Sequence, residues 1–344
     1  MKLLPLLACT ASAALQYVGA DWSSLLVEER AGITYQDPSG TTQPRDSILA
    51  ASGVDTVRQR IWVNPADGNY DLEYNLELAR RAAAAGLRVY LDFHYSDNWA
   101  DPGKQWAPSG WPEEISALED TLYTYTKEVC DAFGAEGVVP NIISIGNEIR
   151  AGLLWPAGRT DNFANIARLL SAASRAVRDS ALGADPRIMI HLDNGWDWSA
   201  QEWWYDSVLA AGLSLDAFDQ MGVSYYPFYG ADATLASLRA SLENMAAKWG
   251  KEIVVAETNW PRECGSPAYP FPEDLRGFAL SWEGQVEFLK AVAAVVEGVP
   301  GGAGVFYWEP AWLDNAGLGS SCEANTMFEW PGLGLPSLEV FGEI

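Results

Sequence analysis

The stretch I-I-S-I-G-N-E at residues 142–148 decides the fold. Its β-branched residues read as a strand buried along its length, yet it ends in an amide and a carboxylate, Asn147 and Glu148. Solubility alone does not call for polar groups there. Similar runs recur: YVGADWS (17–23), TVRQRIW (56–62), RVYLDFHYS (88–96), RIMIHLDN (187–194), QMGVSYYP (220–227), EIVVAETN (252–259) and GVFYWEP (304–310). Between them, apolar residues at three- and four-residue spacing predict helices over 71–85, 115–133, 162–180, 233–249 and 282–297.

Strand–helix alternation repeated eight times implies parallel pairing, because each crossover requires a helix. The fold class is therefore α/β, a single (β/α)8 TIM barrel with its site at the C-terminal ends of the strands. An open doubly wound sheet is the runner-up, but no GxGxxG turn follows an early strand. The strand ends are unusually polar: Asp21, Arg58, Arg60, His94, Asn147, Glu148, His191, Asp193, Asn194, Tyr225, Tyr226, Glu257 and Glu309. Both histidines of the chain are among them.

The 344 residues are 49% hydrophobic and carry a formal charge of −24, enough apolar content for a large core. That charge disfavours nucleic acid and polyanions and favours a neutral or cationic ligand. MKLLPLLACTASA (1–13) reads as a short secretory signal, leaving 14–344 as the barrel domain of a secreted, extracellular protein. No later run is long and apolar enough for a membrane span, so no membrane partner is expected. Nothing demands an oligomer, and a monomer is expected. Of the four cysteines, Cys9 falls in the signal and Cys130 on an apolar helix face. Cys264 and Cys322 follow strands that would be neighbours, and in an oxidising compartment they could pair.

Glu148 ends the fourth strand and Glu257 the seventh, so they face each other obliquely across the mouth. Two carboxyl groups flanking one gap are the apparatus of glycoside hydrolysis: one attacks or activates water, the other protonates the leaving oxygen. Either one alone is more simply read as a salt-bridged strand-end residue. Competing chemistries lack their parts. Two isolated histidines do not make a metal centre, no GxSxG elbow is present, and no Lys sits at a strand end for a Schiff base. The 16 Trp and 14 Tyr supply stacking faces for sugar rings, and Trp22, Trp62, Trp99, Trp196, Trp198, Trp260, Trp308 and Trp312 lie near strand ends. Trp203, Trp204 and Trp249 are expected to fill core and loops.

The motifs GADWSS (19–24), RQRIW (58–62), DFHYSDNWADP (92–102), GNEIRAGLLWP (146–156), HLDNGWD (191–197) and YWEPAW (307–312) together resemble glycoside hydrolase family 53. These are the arabinogalactan endo-β-1,4-galactanases, notably the fungal ones, and the resemblance runs from about Ala14 to the C-terminus. It implies a retaining endo-hydrolase of β-1,4-galactan, a neutral pectin side chain, with Glu257 as nucleophile and Glu148 as acid/base, their carboxyl groups about 5–5.5 Å apart. Asn147 would bind the sugar 2-hydroxyl, and Arg58 would keep Glu257 ionised, although Arg60 shares its strand face. Tyr226 or Tyr225 would orient Glu257, and His94, Asp193, Trp99 and Trp308 would line subsites. Tyr95 stands where many relatives carry a smaller aliphatic residue. Where some bacterial relatives hold calcium, a Cys264–Cys322 disulfide is expected, with no metal and no cofactor. No N-x-S/T sequon is present. A mannanase or cellulase of the same clan, or a non-catalytic carbohydrate-binding barrel, are the alternative readings.

Overall fold

The computed structural model describes residues 14–344; the expected signal at 1–13 lies outside the described residues. Eight parallel strands close into a barrel in sequence order, with β8 returning to β1. They are β1 (Tyr17–Asp21), β2 (Thr56–Ile61), β3 (Arg88–Phe93), β4 (Ile142–Ser144), β5 (Arg187–Leu192), β6 (Gln220–Tyr225), β7 (Glu252–Thr258) and β8 (Gly302–Tyr307). The five expected helices form, as α3 (Leu72–Ala85), α4 (Ile115–Ala135), α5 (Phe163–Asp179), α7 (Leu235–Trp249) and α8 (Trp282–Glu297). Three more join them: α1 (Leu25–Arg30), α2 (Arg45–Ala51) and α6 (Trp198–Ala210).

The helices begin where a side chain can accept an orphan backbone N–H. Asp71 caps α3, Asn162 caps α5, Asp197 caps α6, Thr234 caps α7 and Ser281 caps α8. On α5 the buried stripe Ile166, Leu169, Leu170, Ala173 and Val177 packs the helix onto the barrel. Trp204 is fully buried on α6, as expected, whereas Trp203 is exposed on the same helix.

Inside the barrel a second apolar cluster fills the floor: Tyr17, Tyr90, Ile142, Met189, Val254, Ala256, Ala303 and Phe306. Large and small residues alternate around it. A Cβ on Gly19 would stand 2.1 Å from the Phe306 ring, and one on Gly222 would stand 2.4 Å from Met189 Sδ. Both glycines are therefore fixed by close approach rather than by turn geometry.

Four strands stop short of polar residues that close their sequence runs: β3 before His94, β4 before Asn147 and Glu148, β5 before Asp193 and Asn194, and β8 before Trp308 and Glu309. β4 pairs over only three residues, and Gly146 (φ +125°) and Glu148 (φ +50°) then turn the chain. Tyr95, Asn194 and Glu309 also take left-handed φ, just past β3, β5 and β8. Such values are uncommon for residues other than glycine and cluster at functional sites. In β7 the register slips: Val223 pairs with Val255 but Ser224 with Glu257, and on the other side Val255 and Thr258 pair with Val305 and Tyr307. One extra residue in β7 is a β-bulge. Strict alternation would turn Glu257 away from the face that carries Val254 and Ala256; the bulge turns it inward.

Candidate active site

A cleft of about 790 Å³ opens at the C-terminal mouth. Arg58, His94, Trp99, Asn147, Glu148, Asp193, Tyr226, Glu257 and Trp308 all line it. Tyr225 does not. Its ring is fully buried, stacks on Phe288, and donates its hydroxyl to the Ala233 carbonyl. Alternation along β6 decides the matter, since Ser224 and Tyr226 face the cleft and the residue between them faces the helices.

Arg58 organises the base of the cleft. Its Nη1 lies 2.6 Å from Asp21, and its Nη2 lies 2.8 Å from Asp92 and 2.7 Å from Glu257. Nη2 also donates to Asn147 Oδ1 at 2.9 Å. Because guanidinium only donates, Asn147 must present its oxygen to Arg58. Its Nδ2 gives one hydrogen to the Ala100 carbonyl at 2.8 Å, leaving the second for a ligand. Arg60, the other candidate, turns elsewhere. It pairs with Glu309 at 2.7 Å and lies beneath Trp99 and Trp312, whose centroids are 4.4 and 5.1 Å from its guanidinium carbon.

Glu257 accepts the Tyr226 hydroxyl at 2.8 Å on Oε2 while Arg58 faces Oε1. Burial raises its pKa, and Arg58 and Tyr226 pull against that rise. The net direction is upward, so the expected cation effect is real but is outweighed by desolvation. Glu148 is half-buried and pushed well above the usual carboxyl range by desolvation and by the charges of Glu257 and Asp193. Of the two, Glu148 has the stronger hold on its proton, because among the described residues no cation pairs with it as Arg58 pairs with Glu257.

His94 has a defined tautomer. Its Nδ1 accepts the Trp62 indole N–H and the Ala100 N–H, both at 3.1 Å, so the proton sits on Nε2, 3.2 Å from Asp92. Burial lowers its pKa, and it is neutral. Asp193 is held by Arg150 Nε at 2.8 Å and by Asn194 at 3.0 Å. His191, the other histidine, lies behind the cleft against Ser224 Oγ at 2.9 Å, with burial and Arg58 pushing it down to about 3.

Sequence reasoning missed several contributors. Asp92 lies inside the quoted DFH motif, and its alternation with Tyr90 and His94 would have put it on the inner face. Ser224, Phe228, Tyr229, Asn259 and Asn315 also line the cleft. Nothing local in their sequence marks them, since most sit in loops whose paths depend on packing. Trp99 stacks on Trp312 with centroids 5.8 Å apart and meets Trp308 edge-on, forming an aromatic wall. Trp22 and Trp260, also expected near the mouth, are buried behind it. Cys264 and Cys322 form a disulfide, and Cys130 is a buried free thiol. Among the described residues, no group of three or more His, Cys, Asp and Glu is placed to hold a metal ion, and no helix is long and apolar enough to cross a membrane.

The model of glycosyl hydrolase family 53 matches residues 17–341. The chain is 58% identical, over 96% of its length and 100% of the relative's, to a protein of Thermothelomyces thermophilus named arabinogalactan endo-beta-1,4-galactanase. It is 56% identical, with the same coverage, to one of the same name from Humicola insolens. A solved fungal beta-1,4-galactanase structure superimposes with a TM-score of 0.96 at 58% identity, covering 96% of this chain and 100% of that one. The Ignisphaera aggregans GH53 catalytic domain follows with 0.84 at 30% identity, covering 98% of each chain. With a family model spanning nearly the whole barrel and relatives alike over their full length, the chain belongs to glycosyl hydrolase family 53 and is a glycosidase.

Proposed function

We propose that the protein is a secreted endo-β-1,4-galactanase that cuts the neutral galactan side chains of pectin by double displacement, acting outside the cell as a monomer. Glu257 attacks the anomeric carbon while Glu148 gives its proton to the departing glycosidic oxygen. Glu148, now a carboxylate, takes a proton from water, and that water cleaves the glycosyl–Glu257 ester. The observation that carries this reading is the unequal treatment of two carboxyl groups in one cleft. Glu257 has a cation and a phenol donor on its two oxygens, and Glu148 has desolvation and negative neighbours, the division a nucleophile and an acid require. Asn147 offers its remaining N–H to the 2-hydroxyl, Trp99 and Trp308 offer ring faces, and His94 and Asp193 offer polar edges to neighbouring sugars. The −24 charge suits a neutral polymer better than the polyanionic pectin backbone.

The test is product release from linear β-1,4-galactan by wild type, Glu148→Ala and Glu257→Ala, with and without azide. Both variants should lose at least about 10³-fold in kcat. Azide should restore turnover with opposite stereochemistry: an inverted glycosyl azide from Glu257→Ala and a retained one from Glu148→Ala. Cleavage of mannan or glucan in place of galactan would keep the mechanism and refute the substrate.

A further inference from the structure

Outside the cleft, Trp106 is 55% exposed, far more than a side chain of its size gains from. It is not a loose loop residue. The segment 105–107 pairs with Trp155 through Trp155 N–H to the Gln105 carbonyl at 2.6 Å and Ala107 N–H to the Trp155 carbonyl at 3.2 Å. The Trp106 ring meets Trp155 edge-on with centroids 5.5 Å apart. Arg159 bridges both, its guanidinium carbon 4.1 Å from the Trp155 centroid and 5.4 Å from that of Trp106. In a strongly acidic chain, this guanidinium has indole rings and no carboxylate as its partners among the described residues. Its backbone pairs with Gly152, and a Cβ on the preceding Gly158 would fall 2.0 Å from the Leu153 carbonyl oxygen, so the chain is closely packed here.

The platform is tied to the chemistry. Gln105, buried beside Trp106, donates to the Asn147 carbonyl at 2.7 Å, and Lys104, two residues before Trp106, lines the cleft. We infer that Trp106 and Arg159 form a distal binding site for a sugar of the galactan chain, on the leaving-group side. The side follows from Glu148, the group assigned to protonate the departing oxygen: Gln105, next to Trp106, donates to the carbonyls of Asn147 and Glu148 at 2.7 and 3.4 Å, and Trp155 lies seven residues past Glu148. A galactopyranose fits this pair because its C3, C4 and C5 hydrogens form one apolar face for an indole, while its hydroxyls accept from a guanidinium with free N–H donors. The site rests on the galactanase reading.

The test compares kcat/KM on long linear β-1,4-galactan with that on the shortest galacto-oligosaccharide cleaved, for wild type, Trp106→Phe and Trp106→Ala. The long-to-short ratio should fall about fivefold in Trp106→Ala, through KM and not kcat, and less in Trp106→Phe. End-labelled oligosaccharides should also be cut at positions that leave fewer sugars on the departing side. A ratio unchanged in Trp106→Ala while wild type cuts both substrates overturns the distal site and leaves the galactanase reading standing. An equal loss on both substrates also overturns it, since that is what disturbance of Gln105 and Asn147 would give. If wild type cuts no galactan, the underlying reading fails and this site falls with it.

Discussion

Below Arg58 the barrel interior holds Tyr17, Tyr90, Ile142, Met189, Val254 and Phe306, none of them charged. Level with it and above stand Asp21, Asp92, Glu257 and Glu309, every one buried. The two regions meet where Arg58 lies over the Tyr90 ring, 5.4 Å from its centroid. Floor residues fit by shape, so each is stabilised by the space its neighbours leave, Gly19 for Phe306 and Gly222 for Met189. Mouth residues fit by charge, so each is tolerated only because a specific partner is present. A change in the floor should therefore act on stability alone, and a change in the mouth on stability and turnover together.

Arg58→Met should break this comparison most severely. Asp21, Asp92 and Glu257 would lose their shared cation inside a desolvated mouth. A stability loss of about 3–5 kcal/mol is expected, along with a fall in kcat of about 10³-fold, read from denaturant midpoints and galactan turnover. Adding Asp92→Asn should recover part of the stability, because one uncompensated charge is gone, but none of the turnover. Full additivity of the two substitutions would refute the picture of a shared network.

Phe306→Ala probes the other region. It removes a fully buried ring from the floor and should cost about 3–5 kcal/mol, with kcat at 25 °C within about twofold of wild type so long as the protein stays folded. A large fall in kcat at full folding would mean that the floor positions the catalytic groups, and the division between the regions would be lost.

The floor was legible as a class and the mouth residue by residue. Apolar runs of the right length predicted eight strands, but which residues of those runs interlock depended on register, which no run contains. In the mouth, polar residues closing apolar runs were conspicuous enough to single out Asn147, Glu148 and Glu257. Four features stayed hidden for physical reasons. The bulge that aims Glu257 inward is a register slip between neighbouring strands, and V-V-A-E-T carries no mark of it. The adjacent pair Tyr225 and Tyr226 looks interchangeable until the face of β6 is known. The helices α1 and α2 are too short to show periodicity, and α6 is crowded with aromatic residues on more than one face. Arg58 and Arg60 share a strand face, and only the packed structure sends one to Glu257 and the other to Glu309 and the aromatic wall.

The subtlest test concerns one hydrogen bond. The Tyr226 hydroxyl donates to Glu257 at 2.8 Å, an interaction that favours the ionised carboxyl. In its proposed role as nucleophile Glu257 must be ionised to attack, so kcat/KM should fall as pH drops through its pKa. In its proposed role as acid Glu148 must be protonated, so kcat/KM should also fall as pH rises through the pKa of that group. Tyr226→Phe removes a stabiliser of the Glu257 anion, so its pKa rises and the acidic limb moves to higher pH. A hydrogen bond to a charged group is worth about 1.5 kcal/mol, which places the shift near one pH unit. The basic limb should hold its position, because the negative charge of Glu257 that helps raise Glu148 remains in place above the acidic limb. Narrowing of the profile from the acid side alone supports Glu257 as the group that Tyr226 serves. Movement of the basic limb instead would exchange the roles assigned to the two carboxylates.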